Sequence, residues 1–113
     1  MAETPISRPR RPNIVFVFAD QLRAQSVGFM GNTQVRTPNL DSFASEGAVF
    51  THAVSCCPVC TPYRASLLTG RYPLSTGVVL NDVPLPESET TIAQVLRRQG
   101  YATAYIGKWH LDG

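Results

Sequence analysis

The sequence predicts an α/β protein: a parallel sheet of about three strands flanked by helices, in the order β-α-β-α-α-β. Three observations point there. Residues 13–19 (NIVFVFA) are β-branched and aromatic with no polar alternation, the pattern of a strand buried on both faces. Two further apolar stretches, 48–55 and 101–106, are separated from it and from each other by helix-patterned segments, as crossover connections require. Polar groups able to carry chemistry follow directly after each stretch, where open α/β sheets collect their sites.

Residues 1–12 hold three prolines and few apolar side chains, and read as a flexible lead-in. The strand at 13–19 runs straight into Asp20 and Gln21. Thr37 and Pro38 open a helix as N-cap and first helical residue. Leu40, Phe43 and Ala44 form its apolar stripe, and Gly47 closes it. Residues 48–55 make the second strand, and 56–60 a loop around Pro58. A helix from Thr61 or Pro62 to Thr69 carries Ala65, Leu67 and Leu68 and stops at Gly70. Residues 71–89, rich in Pro, Gly and Ser, form a long loop. Thr91 and Gln94 make a capping box. The helix it opens presents Ile92, Val95 and Leu96, places Arg97 and Arg98 in its last turn and ends at Gly100. Residues 101–106 are the third strand. The chain stops at Gly113, soon after that strand, leaving open sheet edges. This suggests the first part of a longer α/β protein, with 13–113 as the N-terminal fragment of its catalytic domain.

Composition narrows the function. The 113 residues carry 10 basic and 8 acidic side chains, a net +2 that gives no footing for nucleic acid. Arg8, Arg10 and Arg11 form a basic patch that reads as a solvated tail. At 43% hydrophobic and 16% charged, the chain is outside the disordered class. Its longest apolar run falls far short of the roughly 20 residues of a membrane helix, and no secretory signal is visible, so a cytoplasmic protein with no membrane partner is expected. Cys56, Cys57 and Cys60 are clustered and odd in number, a poor disulfide framework.

Three groups carry the chemistry. Cys60 stands where a helix begins, with Pro62 in its first turn and Arg64 one turn on. Free N–H groups, a fixed cation and a nucleophile there suit a sulfate or phosphate group. On spacing alone, a buried structural cysteine with a surface arginine is the commoner arrangement. In 107–110 (GKWH), Lys108 and His110 share one face if the segment is extended, a cation beside a titratable imidazole. The alternative is a solvated terminal pair. Asp20 and Gln21 offer hard oxygens for Ca²⁺ or Mg²⁺, two of the six to eight such a shell takes, or serve as a turn or cap. Two weaker patterns reuse the cysteines: Cys57 and Cys60 as a redox pair, and Cys57, Cys60, His52 and His110 as a zinc site whose spacing is not that of a ribbon or finger.

Taken together, 60–72 (CTPYRASLLTGRY) resembles the C-x-P-x-R signature and following helix of the formylglycine-dependent (type I) sulfatases, in the alkaline phosphatase superfamily. Residues 12–15 leading to Asp20 resemble that family's first strand, 37–41 (TPNLD) with Gly47 its next helix, and 107–111 (GKWHL) its later signature. Four motifs in order over about residues 12–113 make the resemblance specific. It implies an alkaline-phosphatase-like sheet and a sulfuric ester hydrolase. Cys60 would be converted to formylglycine by a formylglycine-generating enzyme, and the aldehyde would hydrate. One hydroxyl would then attack sulfur and the alcohol leave; loss of the second hydroxyl's proton would expel sulfate.

Carried over residue by residue, the resemblance makes Asp20, Gln21 and Cys60 the metal side, holding Ca²⁺ or alternatively Mg²⁺ or Mn²⁺. Arg64 would hold the geometry of the formylglycine, Lys108 would contact sulfate oxygens, and His110 would help deprotonate the diol. The substrate would be a small sulfate ester or a sulfated carbohydrate. Gln21 stands where many relatives have a second acid, and Tyr63 where Ser or Ala is commoner. Gln21 also occurs in branches that cleave phosphonate monoesters or phosphodiesters, the alternative activity. The family's remaining ligands and leaving-group residues would lie beyond Gly113, so the isolated chain is expected to have little activity; a non-catalytic truncated fragment is the third reading.

Overall fold

The computed structural model describes residues 11–113. Residues 1–10 of the expected lead-in, with Arg8 and Arg10 of the basic patch, therefore lie outside the described residues. Arg11 is inside them, and its guanidinium donates to the Gln99 carbonyl.

The expected helices form. Helix α1 spans Pro38–Glu46 with proline in its first turn. Thr37 precedes it but does not cap it. Its Oγ1 accepts the Gly28 N–H at 2.7 Å and donates to Asp41 Oδ1 at 2.8 Å. Asp41 Oδ1 also accepts the Phe29 N–H at 2.8 Å. The first turn of α1 is thus tied to a 3₁₀ turn at Gly28–Met30, which the sequence reading missed. Helix α2 spans Cys60–Thr69 and is closed by Gly70 at φ +69°, a left-handed conformation that favours glycine. It buries Thr61, Pro62, Arg64 and Ala65.

The loop at 71–89 contains a one-turn helix, α3, at Pro73–Thr76. An ion pair between Arg71 and Glu89 at 2.6 Å ties its ends together. Helix α4, Ile92–Arg98, opens on the expected capping box: Thr91 accepts the Gln94 N–H, and the Gln94 side chain accepts the Thr91 N–H. The core is small. Ala65 of α2, Val78 and Leu111 are buried together, with Leu68, Val83 and Leu85 packed against them. A backbone bond from the Leu85 N–H to the Leu111 carbonyl, 2.9 Å, joins the loop to the C-terminal segment. No helix among the described residues is long and apolar enough to cross a membrane.

The expected parallel sheet is not there. Among the described residues no strand forms; 13–19, 48–55 and 101–106 are irregular. A strand exists only through N–H···O=C bonds to a partner. Among the described residues, the one backbone bond reaching these segments outside helices runs from Tyr101 back to Leu96 in the turn after α4. Nor are their side chains buried on both faces: Val15 is 85% exposed, Val54 91% and Ile106 97%. The β-branched composition reported a preference for burial, and preference without a partner in register makes no ladder. The radius of gyration, 18.4 Å, exceeds the roughly 13 Å of a compact chain of this length and reflects the same openness.

Candidate active site

The three groups expected to converge do so in part. Arg64 is the hub. Its position on α2, one turn after Cys60, turns its side chain inward, where it is 3% exposed. Its Nη2 donates to Asp20 Oδ1 at 2.7 Å, and its Nη1 donates to the Tyr105 hydroxyl at 2.9 Å and to the Lys108 carbonyl. The guanidinium carbon lies 5.2 Å from the centre of the Phe18 ring, a cation–π distance. Tyr105 in turn donates to the Lys108 carbonyl at 2.6 Å and stacks edge-on against Trp109. Segments 18–20, 60–64 and 105–109 therefore meet at one buried guanidinium.

Lys108 completes the group: its Nζ stands 3.2 Å from Asp20 Oδ2. Charge follows geometry. Hydrogen bonds from Arg64 first, and from Lys108 next, hold the Asp20 carboxyl below its usual range. Lys108 is raised, chiefly by the hydrogen bond to Asp20, with a smaller contribution from the Cys60 thiol. Burial opposes the charge on Arg64, but Asp20 and Tyr105 outweigh it and its pKa is raised. All three stay ionised near neutral pH.

Of the remaining candidates, Gln21 and His110 make no hydrogen bond to this group. Gln21 follows Asp20 and is exposed. His110 does not join the Arg64 group; its Nε2 lies 3.4 Å from Asp82 Oδ1, and its Nδ1 is buried without a partner. Cys57 and Cys60 are free thiols, not a disulfide. His52 is exposed and bonds to neighbouring Thr51, and among the described residues no three His, Cys, Asp or Glu side chains cluster, so the zinc reading has no geometry behind it. A surface depression of about 540 Å³ lined by Gly28, Thr37 and Asp41 includes none of these groups.

Sequence reasoning missed Phe18, Tyr105, Asn81 and Asp82. Asn81 Oδ1 accepts the Thr61 N–H at 3.0 Å and so caps α2 from twenty residues away. Phe18 and Tyr105 fall in stretches whose composition reads as sheet. An Asn-Asp pair in a long loop is a common turn signal, and little in it marks a cap.

A nucleophile at a helix start, an exposed lysine ammonium and a buried arginine locked to a carboxylate make an arrangement suited to a tetrahedral anion. The sulfatase family model matches residues 12–113, and the chain belongs to that family. It is 54% identical over 105 residues to the ulvan-active sulfatase of Formosa agariphila, covering 93% of this chain and 20% of that protein. The crystal structure of the yidJ protein of Bacteroides fragilis superposes with a TM-score of 0.86 at 41% identity, covering 96% of this chain and 26% of the other. The phosphonate monoester hydrolase of Agrobacterium radiobacter matches with a TM-score of 0.75 at 36% identity, over 80% of this chain and 18% of its own. The chain thus spans about a fifth of the length of the curated sulfatase it matches. Family membership implies, in general terms, a formylglycine nucleophile and a divalent metal.

Proposed function

We propose that the chain supplies the nucleophile and anion-binding part of a sulfuric ester hydrolase. The observation that carries this reading is the convergence of Asp20, Arg64 and Lys108 beside Cys60 on α2.

The residues divide the work. Arg64 has both terminal nitrogens engaged, so it is scaffolding that fixes Asp20 and the 105–109 segment relative to α2. Lys108 Nζ donates to Asp20 Oδ2 at 3.2 Å and retains N–H donors for sulfate oxygens. Its raised pKa keeps that charge in place. Asp20 carries more lone pairs than Arg64 and Lys108 occupy. With Gln21 and Cys60 it would hold a divalent ion, Ca²⁺ being the reading preferred over Mg²⁺ or Mn²⁺. The oxygens of Asp20, Gln21 and a formylglycine at position 60 fit a hard cation in kind, where a thiol would not, and supply only part of its shell. Such an ion, when bound, polarises the sulfate group. Formylglycine made from Cys60 by a formylglycine-generating enzyme would supply a hydroxyl nucleophile, and His110 would accept its proton. The net reaction consumes one water and yields the alcohol and sulfate.

The substrate class is a sulfate ester, small or carbohydrate-borne; the ulvan-active relative supports the second. Gln21 and the phosphonate monoester hydrolase match favour a phosphonate ester as the second reading. The test uses the longer protein that contains this sequence, assayed with 4-nitrophenyl sulfate beside a phenylphosphonate monoester. Mass spectrometry across residue 60 accompanies it. Sulfate release with an aldehyde at 60, lost in Cys60→Ala, supports the proposal. Faster phosphonate cleavage supports the second reading. An unmodified thiol with neither activity overturns both.

A further inference from the structure

We infer that Asp82 is the positioning residue of His110: it accepts a hydrogen bond from Nε2–H and leaves Nδ1 as the nitrogen free to take a proton. His110 and Asp82 are 28 residues apart, yet Nε2 lies 3.4 Å from Oδ1. Among the described residues they are the two non-glycine positions with positive φ, +62° at Asp82 and +56° at His110. Left-handed backbone is uncommon outside glycine, and paired outliers in contact mark a geometry held by its surroundings.

The surroundings hold it from three sides. Asn81, the residue before Asp82, is fixed to the start of α2 through the Thr61 N–H. Leu111, the residue after His110, is buried against Ala65 and Val78. The Leu85 N–H bonds the Leu111 carbonyl and pins the two segments together. The loop that caps the Cys60 helix is therefore the loop that orients His110.

A carboxylate only accepts hydrogen bonds, so opposite Oδ1 the Nε2 nitrogen must carry the hydrogen. In the neutral ring Nδ1 is then the lone-pair nitrogen, and it is the one buried without a partner. A buried acceptor left unpaired is costly and marks a place where a donor is due. An alcohol or hydrated aldehyde proton is such a donor. The step is a proton transfer: the O–H bond breaks, an N–H bond forms at Nδ1, and Asp82 steadies the imidazolium through the opposite nitrogen.

This rests on the proposed role of His110, so its test is read without substrate. Ring nitrogens of His110 are observed by ¹⁵N NMR at alkaline pH in the full-length protein, in its Asp82→Ala variant and in its Asp82→Asn variant. The expected result is a single ordered ring, protonated at Nε2 and bare at Nδ1. Asp82→Ala gives mixed tautomers with rotamer averaging, and Asp82→Asn, whose amide oxygen still accepts, restores the single form. Backbone amide signals show that each variant keeps the wild-type fold. A Nδ1–H ring in the wild-type chain, or an Asp82→Ala ring identical to wild type, overturns the inference whatever the ester assays show.

Discussion

Arg64 and Asp20, forty-four residues apart, meet at 2.7 Å, one guanidinium nitrogen on one carboxylate oxygen. Arg64 is buried and Asp20 is half exposed, so the pair sits at the boundary between core and site. Both partners also hold Lys108: Arg64 bonds its carbonyl and Asp20 its ammonium.

Acid should loosen this junction. The folded-state pKa of Asp20 lies below its ordinary value of 3.8. A depressed carboxylate contributes stability that is fully present above the unfolded pKa and is lost as pH falls through the folded one. Urea midpoints should therefore fall below about pH 4. Asp20→Asn should flatten that acid limb. A limb of unchanged steepness in the variant would show that other carboxylates carry the loss.

Arg64→Lys keeps a charge but loses the fork that reaches Asp20, Tyr105 and the Lys108 carbonyl at once. We expect a loss of about 2 kcal/mol in denaturant unfolding, the scale of a buried charge-assisted hydrogen bond. Near-UV signals from Tyr105 and Trp109, stacked 5.0 Å apart, should weaken with it. Unchanged spectra and stability would mean the Arg64 contacts are dispensable.

Asn81→Ala should cost about 1 kcal/mol, as loss of an N-cap does, although Asn81 is remote in sequence from the helix it caps. Amide exchange at Thr61 and Tyr63 should rise more than exchange in α4, which has its own capping box. Equal effects on both helices would argue for a general loss of structure instead.

Gly28→Ala places a Cβ 2.6 Å from Asp41 Oδ2. The carboxylate cannot retreat without straining its bonds to Phe29 and Thr37. A destabilisation of about 1–3 kcal/mol follows, the range for an added methyl in a filled space. Thermal melts of Gly28→Ala and of Gly28→Ala with Asp41→Ala check it: the second should lose less than the sum of the single changes.

Residues 14–17, Phe50 and Ile106 leave large apolar side chains in water. Isolated, the chain should self-associate in light scattering, and Val15→Lys with Val17→Lys should shift it toward monomer. A sharp monomeric elution of the unaltered chain would remove this expectation.

Local chemistry was legible in the sequence, and pairing was not. Pro38, Gly70, Thr91 and Gln94 act on their own turns through backbone geometry, so the helices could be placed from neighbours alone. Residues 13–19, 48–55 and 101–106 needed partners, and composition carries no information about which partner exists. The site divided along the same line. Asp20, Arg64 and Lys108 were legible because each has a charge to place. Gln21 is exposed next to Asp20 with no hydrogen bond to the group, and His110 contacts Asp82. Tyr105 and Asn81 act through distant carbonyl and amide groups that no short motif encodes.

The remote cap on α2 also sets an order in time. Asn81 is made twenty-one residues after Cys60. At about 5–20 residues per second, synthesis leaves roughly one to four seconds between them. Through that interval Cys60 lies on a nascent segment whose first turn cannot yet be sealed, and the residue that will seal it has not been translated.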